Sequence, residues 1–276
     1  MGDTARDAAR AEMARAVEAN LYAFGEEFER LQGVETYRGE DMQWCLTDEP
    51  FPLFNAVFDI HLTPESADRT IAAVLARARE RGVSLQWYTG PSSTPADLGE
   101  RLEAAGLQPG GTSPGMALEL EDLREPPPLP RGVSIERVTD ERTLRRWCRV
   151  AMEGFQMPDA VETTLLELSA ATALAPDPSM YHYLGLHEGR PVACSTLFYG
   201  AGSAGIYNVA TLPSARRRGF GRALTYAPLA DARAAGHRLA VLQASEMGAP
   251  LYRAMGFEDV CTLRTYVWAA GTADVS

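Results

Sequence analysis

The chain of 276 residues contains no lysine, because all 26 of its Lys+Arg residues are arginine. This absence excludes a Schiff-base lysine, a pyridoxal-phosphate attachment and the lysine of a phosphate-binding P-loop. Long apolar runs are missing too: none approaches the roughly 20 residues of a membrane-spanning helix, and the amino terminus is polar rather than signal-like. We therefore expect a soluble cytoplasmic protein with no lysine-bound cofactor.

Cysteine is scarce, and its four copies are scattered without a CxxC pair: Cys45, Cys148, Cys194 and Cys261. No histidine stands near them at the spacing of metal ligands. Zinc sites need such clusters. No metal site is therefore predicted, and the cysteines are interpreted as small buried apolar residues.

Positive charge is in short supply in the first half of the chain. Residues 1–131 carry 12 arginines against 23 acidic residues, a net charge of −11, whereas residues 132–276 carry 14 of each. Such an acidic half repels nucleic acid and anionic membranes, so neither is an expected partner. It would attract a cationic acceptor such as a polyamine or an aminoglycoside-like amine, although acidity that only keeps the protein soluble is the simpler interpretation.

A proline-rich segment at residues 126–131 marks the clearest boundary in the chain. Four of its six residues are proline, which favours a stiff, extended linker. The predicted domains are therefore residues 1–125 and residues 132–276. Hydrophobic residues make up 46% of the chain, enough for each domain to bury a core.

Helical and strand patterns alternate in both halves. In the first half they predict helices at 4–31, 64–81 and 95–105 and strands at 55–62, 83–89 and 115–120. In the second half they predict helices at 141–155, 160–174, 222–235 and 250–255 and strands at 133–138, 181–187, 191–199, 206–212, 238–244 and 261–268. The fold class is α/β (an α+β mixed sheet), in which the last strand completes the second sheet. The similar order in both halves indicates a divergent tandem repeat.

A glycine-rich turn follows the strand predicted at 206–212 and precedes a helix. Gly219 and Gly221 let the backbone approach a ligand closely, and the amides of the helix amino terminus attract anions. Four arginines surround the turn and suit a pyrophosphate: Arg216, Arg217, Arg218 and Arg222. If this turn is considered alone, the alternative to an anion-binding site is a basic helix cap that binds no ligand.

The run Arg216-x-x-Gly219-x-Gly221, after a strand and Pro213, resembles the acyl-CoA signature of the GCN5-related N-acetyltransferases, the GNAT family. A second match follows downstream, with Ser245 where many members carry asparagine: Ala244-Ser245-Glu246, then Leu251-Tyr252-Arg253-Ala254-Met255-Gly256-Phe257. The resemblance covers residues 132–268. It implies two tandem acetyltransferase-like domains, each a mixed, mostly antiparallel sheet flanked by helices. Residues 1–125 lack the glycine pair, the arginine cluster and the tyrosine, and are interpreted as a degenerate copy.

The resemblance implies acetyl-CoA as co-substrate and transfer of its acetyl group to a primary amine of a small-molecule acceptor, by direct attack in a ternary complex. The turn would bind the CoA pyrophosphate, and the main chain of the preceding strand would bind the pantetheine arm and polarise the carbonyl. The implied CoA-binding residues are Val209, Ala210, Thr211, Arg216, Arg217, Arg218, Gly219, Phe220, Gly221, Arg222, Ser245 and Glu246. Tyr252 is the implied general acid, which protonates the departing thiolate.

No general base is assigned, because Ile206-Tyr207-Asn208 contains no carboxylate. Glu246, His182 and His187 are candidates, and a water relay or a substrate amine of lowered pKa would serve equally well. Two other functions stay open: a non-catalytic acyl-CoA-binding sensor, and acetylation of a cysteinyl-sugar-type acceptor. An intact Tyr252 favours an enzyme, whereas the missing base keeps the sensor in consideration.

Overall fold

The computed structural model describes residues 3–126, 128–129 and 131–271, so Pro127 and Pro130 of the predicted linker lie outside the described residues. The helices of the described chain are α1 (Asp3–Glu26), α2 (Pro64–Arg81), α3 (Leu98–Ala104), α4 (Glu141–Phe155), α5 (Glu162–Ala173), α6 (Phe220–Ala234) and α7 (Ala249–Met255). Its strands are β1 (Glu35–Arg38), β2 (Gln43–Leu46), β3 (Ala56–Phe58), β4 (Leu85–Thr89), β5 (Gln108–Glu119), β6 (Val133–Arg137), β7 (Met180–His187), β8 (Arg190–Gly200), β9 (Ser203–Thr211), β10 (Leu239–Gln243) and β11 (Glu258–Trp268).

The chain divides into two compact units. The larger unit comprises the segment that ends at Phe24 together with Pro114–Val260, and the smaller unit comprises Gly25–Ser113 together with the segment from Cys261 onward. The predicted domains, 1–125 and 132–276, follow chain order, whereas the compact units take up segments from both ends of the chain. The predicted bounds describe a repeat in the sequence rather than compact units, and they remain a prediction.

The sheet of the larger unit has the strand order β5-β10-β9-β8-β7-β6. All of its neighbours are antiparallel except β9 and β10, which are parallel and are joined through α6. The two faces of this sheet carry different helices: Tyr183 of β7 donates to Asp231 of α6, and the adjacent His182 stacks on Trp147 of α4. Successive strand residues point to opposite faces, so α4 and α6 lie on opposite sides. The predicted mixed α/β fold is confirmed.

The last strand, β11, has two neighbours in the strand order: β5, as expected for a strand that completes the second sheet, and β4, which was not expected. Residues Arg264 to Trp268 of β11 pair antiparallel with β4 of the smaller unit, whose strand order is β1-β2-β3-β4-β11. This sheet is also mixed, with β3 parallel to β4. Alternation along a strand does not identify its neighbours, so the sequence pattern did not predict the pairing with β4.

The buried side chain of Asn20 anchors α1 to the larger unit. Its Nδ2 donates to the carbonyl oxygens of Gly200 at 2.9 Å and Ser203 at 3.2 Å, and its Oδ1 accepts from the Tyr207 hydroxyl at 2.8 Å. The ring of Phe24, one helical turn further on, stacks on Tyr207 with centroids 4.1 Å apart. The helix therefore supports the hairpin between β8 and β9 and the middle of β9.

Asn20→Ala is expected to lower the free energy of unfolding by about 2–4 kcal/mol, because it leaves several buried groups without partners. Arg15→Ala, on the exposed side of the same helix, is the matched control and should change stability by less than about 0.5 kcal/mol. Chemical denaturation of both variants measures the difference. Equal stability of the two variants would show that α1 is not held by Asn20.

Candidate functional site

In the larger unit β9 and β10 pair over only part of their length, which leaves an opening between them. The two strands pair only at Ala204 with Ala240 and at Gly205 with Val241. Beyond this point β9 continues to Thr211 and stays paired with β8 on its other side, where Ala210 faces Cys194. Main-chain groups of β9 that a regular sheet would pair with β10 are thus turned toward the opening, where they can bind an extended ligand. Val209, Ala210 and Thr211 of the predicted site all lie in this segment.

The amino terminus of α6 follows β9 through a short turn and has no side-chain cap. Its N-cap is Gly219, with φ of 84° in the left-handed region, which glycine tolerates best. Phe220 is buried and fixes the first turn of the helix in the core, whereas Gly221 is half-buried beside Leu251. The amides at this helix end, left without a side-chain partner, form a place for an anion.

The arginines of the turn surround this helix end. Arg216, Arg217 and Arg218 are exposed, and Arg222 is half-buried. Within the described residues none of the four forms a salt bridge, so their charge is available to a ligand. Arg216 Nε donates to the Thr211 carbonyl at 3.2 Å, which ties the turn to the end of β9.

A cavity of about 520 Å³ lies against the same helix end. Gly219, Arg222 and Tyr226 contribute one wall, and Pro126 and Leu129 of the proline-rich segment contribute another. The cavity walls are mostly apolar with one cationic side chain. Such a lining suits the flat, partly apolar part of a ligand whose anionic part lies at the helix end.

Ser245 and Glu246 lie in the turn before α7, and both are exposed. The Ser245 hydroxyl accepts from the Gly248 amide at 3.1 Å and so helps to start α7. A β-carbon at Gly248 would lie 2.9 Å from Cε2 of Tyr252 and 3.2 Å from Ser245 Oγ. The structure therefore brings both parts of the downstream motif together, with the Tyr252 ring over this turn.

The Tyr252 side chain is largely buried, with 8% exposure. It belongs to the apolar cluster of Phe220 and Leu224, on the α6 side of the sheet. Burial raises the pKa of Tyr252 to about 12, and a hydrogen bond with Thr225 opposes the shift only in part. The hydroxyl therefore keeps its proton at neutral pH, as a general acid must.

This raised pKa predicts the alkaline behaviour of the reaction. A group with a pKa of about 12 stays protonated as the pH rises, so turnover at saturating substrate should not fall between about pH 7 and about pH 10 through loss of this proton. The pH profile of turnover in the wild type and in Tyr252→Phe is the measurement. A falling limb below about pH 10 that is present only in the wild type would contradict the assignment.

The candidate bases do not come together at the opening. His182 is completely buried against Trp147, and burial lowers its pKa to about 3, so the ring is neutral and too weak to accept a proton from an ammonium group. His187 lies edge-on to Phe220 with centroids 6.3 Å apart. Glu246 is exposed in the turn before α7. No general base is assigned.

A β-bulge in β9 was missed by the sequence analysis. Thr196 of β8 pairs with Tyr207, but two residues earlier Cys194 pairs with Ala210, so β9 has one extra residue here. Asn208 takes a left-handed conformation in the bulge, with φ of 52°. Asparagine tolerates this region better than most residues, and it was the only local sequence signal. The bulge lies in the part of β9 beyond its last pair with β10, which is at Gly205.

The smaller unit contains a corresponding β3-α2-β4 arrangement, again with parallel strands, but it is closed. The Thr63 side chain caps α2 by accepting a hydrogen bond from the Ser66 amide, and the Ser66 hydroxyl accepts one from the Thr63 amide. Beyond β3, His61 bridges to Thr94, and the Thr94 amide donates to the Ile60 carbonyl at 3.0 Å. The helix end and the gap between strands are therefore both filled by the chain itself.

Among the residues that the structure describes, no group of three or more histidine, cysteine, aspartate or glutamate side chains could hold a metal ion. No helix in the described part of the chain is both long and apolar enough to cross a membrane. Three of the four cysteines are buried, and Cys261 is half-buried.

Comparison with known proteins identifies the same segment. Residues 201–260 match the family described as acetyltransferase (GNAT) domain. Searching curated proteins gives no significant match.

Solved structures resemble nearly the whole chain. A GCN5-related N-acetyltransferase from Kribbella flavida superposes with a TM-score of 0.71 at 20% identity, over 94% of this chain and 96% of that one. A GCN5-related N-acetyltransferase from Sphaerobacter thermophilus gives 0.62 at 18% identity, over 95% and 93%. A tandem GNAT protein from the clavulanic acid biosynthesis pathway gives 0.56 at 18% identity, over 88% and 85%. These similarities extend the fold to both halves.

Proposed function

We propose that this chain, which belongs to the GCN5-related N-acetyltransferase family, moves an acetyl group from acetyl-CoA to a primary amine of a small-molecule acceptor, by direct attack in a ternary complex. The observation that carries the proposal is the opening between β9 and β10, which leads to the uncapped amino terminus of α6. An extended ligand with an anionic group at its end fits this combination. Acetyl-CoA has that form.

Each part of acetyl-CoA has a matching feature. The pyrophosphate lies at the α6 amides, close to Gly219 and Gly221, and the arginines of the turn neutralise its charge. The pantetheine arm lies along Val209 to Thr211, on the edge of β9 that is not paired with β10. The thioester then lies in the opening, between the bulge at Asn208 and the ring of Tyr252.

The reaction needs one bond to form and one to break. The amine nitrogen attacks the thioester carbonyl, and main-chain N–H groups at Val209 or Ala210 stabilise the oxyanion. The carbon–sulfur bond then breaks, and the Tyr252 hydroxyl gives its proton to the departing thiolate. The proton released by the amine passes to water, because no carboxylate is assigned to take it, and Tyr252 takes a proton back from water before the next turnover.

The first predicted domain, residues 1–125, is proposed to be a degenerate copy that does not bind CoA. Two features of the smaller unit support this role: the capped start of α2 and the bridge between His61 and Thr94 that closes the strand gap. A ligand would have to displace both. The catalytic domain is then residues 132–276.

Thiol release from acetyl-CoA in the presence of amines tests the proposal. The panel contains spermidine, kanamycin and a cysteinyl glucosamine, which represent the polyamine, aminoglycoside and cysteinyl-sugar classes. An acetyltransferase releases CoA at a rate that depends on one of these amines, and initial rates at varied concentrations of both substrates give intersecting lines. Tight binding of acetyl-CoA without thiol release from any amine would instead indicate an acyl-CoA sensor.

A further inference from the structure

A buried chain of polar side chains crosses three strands on the α4 face of the sheet. Asn208 Nδ2 of β9 donates to Thr196 Oγ1 of β8 at 3.1 Å, and Thr196 Oγ1 lies 2.8 Å from Nδ1 of His182 in β7. Thr196 and His182 are almost completely buried, with 0% and 1% exposure. This chain of polar side chains runs from His182, buried beneath α4, to Asn208 in the bulge beside the opening.

The chain fixes the orientation of the Asn208 amide. When the neutral His182 ring carries its proton on Nε2, its Nδ1 accepts a hydrogen bond from the Thr196 hydroxyl, and the Thr196 oxygen then accepts from its other neighbour. That neighbour is the NH₂ group of Asn208, which leaves Oδ1 as the free end of the amide. Among the described residues no donor to this Oδ1 is found.

This chain of polar side chains is not fully satisfied within the protein. His182 Nε2 is buried without a hydrogen-bond partner, and an unpaired buried polar atom destabilises a protein. An apolar pair at His182 and Thr196 would pack between the same strands without that cost. We therefore explain His182 and Thr196 by their effect on Asn208, at the other end of this chain of polar side chains.

The departing sulfur and the attacking amine are assigned to opposite faces of the sheet. Tyr252 belongs to the apolar cluster of α6, so the departing sulfur is on that side of the opening. Asn208 reaches Thr196 on the α4 side. An amine that approaches the face of the planar thioester turned toward the α4 side arrives next to the Asn208 amide.

We infer that Asn208 Oδ1 binds the attacking amine of the acceptor by accepting one of its N–H bonds, and that Thr196 and His182 are positioning residues that hold the amide in this orientation. This inference rests on the proposed function. The amide oxygen is too weak a base to take the amine proton, which leaves to water as described above. Its contribution is to place the nitrogen lone pair toward the thioester carbon.

The test compares Thr196→Val with Thr196→Ser. Valine has the shape of threonine but no hydroxyl, so it releases the Asn208 amide, whereas serine keeps the hydroxyl. With the best amine of the panel, Thr196→Val should lower kcat/KM for the amine by about tenfold and leave the Kd of acetyl-CoA unchanged. Thr196→Ser should retain most of the wild-type kcat/KM for the amine. Asn208→Ala should lower kcat/KM for the amine at least as much as Thr196→Val.

Thr172→Val in α5 is the matched control, because Thr172 is also fully buried and its hydroxyl donates to the Leu168 carbonyl at 2.8 Å. It should lower the melting temperature without affecting the kinetics of the amine. Amine kinetics unchanged by Thr196→Val, in an enzyme whose wild type turns over the amine, would overturn the inference and leave the proposed function intact. A wild type that acetylates no amine would overturn both.

Discussion

Tyr252→Phe is expected to lower turnover at saturating acetyl-CoA by at least about 100-fold, toward the lower end of the 10²–10⁴-fold range of general acid catalysis. The change deletes one hydroxyl and keeps the ring, so the packing of the ring against Phe257, with centroids 6.0 Å apart, is preserved. A thiolate is already a good leaving group, which places the effect near the lower end. The Kd of acetyl-CoA should change little, because the sulfur bears no full charge before the carbon–sulfur bond breaks.

Tyr88→Phe is the matched control. Burial raises the pKa of Tyr88 to about 12 as well, but this tyrosine lies in β4 of the smaller unit. Its removal should leave turnover unchanged. If Tyr252→Phe retains more than about a third of wild-type turnover while chemistry limits the rate, Tyr252 is not the acid.

Gly219→Val is expected to raise the Kd of CoA by about a hundredfold or more. A branched side chain on the N-cap of α6 obstructs the approach of a pyrophosphate to the helix amides, and the loss of two charge-assisted hydrogen bonds at about 1.5–3 kcal/mol each accounts for this factor. Isothermal titration with CoA measures the change.

The same helix provides the control. Gly236 follows α6 and is also left-handed, with φ of 88° against 84° for Gly219, and a β-carbon there would contact nothing within 4 Å. Gly236→Val therefore introduces similar backbone strain at the opposite end of α6, away from the turn. It should leave CoA affinity unchanged. Equal affinities of the two folded variants would mean that Gly219 serves the turn geometry alone.

Helices with clear end signals could be predicted from the sequence. The helices predicted at 64–81 and 141–155 match α2 and α4 residue for residue. Each begins after a capping residue, Thr63 or Asp140, and α2 ends at Gly82 in the left-handed conformation. Local signals of this kind depend only on neighbouring residues, so the sequence contains them directly.

Short strands were harder to predict. The strand predicted at 55–62 is only Ala56–Phe58, and β1 and β2 were not predicted at all. All residues of β1 are at least partly exposed, so it lacks the apolar alternation that marks a half-buried strand. Such strands form because a neighbour pairs with them, which is information that a local pattern does not contain.

Contacts between distant residues account for the remaining differences. The attachment of α1 depends on Asn20 and on carbonyls about 180 residues away. The polar chain of His182, Thr196 and Asn208 depends on the pairing of three strands and on a one-residue bulge. The turn at Gly219 and the motif at Tyr252 were recognisable because their residues are close in sequence, whereas the Asn208 cluster was not.

One acetyl-CoA molecule is expected to bind each chain, at the open end of α6. Calorimetric titration of the intact chain with acetyl-CoA measures this stoichiometry. We predict a stoichiometry of one per chain, with binding weakened by Gly219→Val. Two acetyl-CoA molecules per chain would contradict the closed state of the β3-α2-β4 arrangement, and no binding would contradict the site itself.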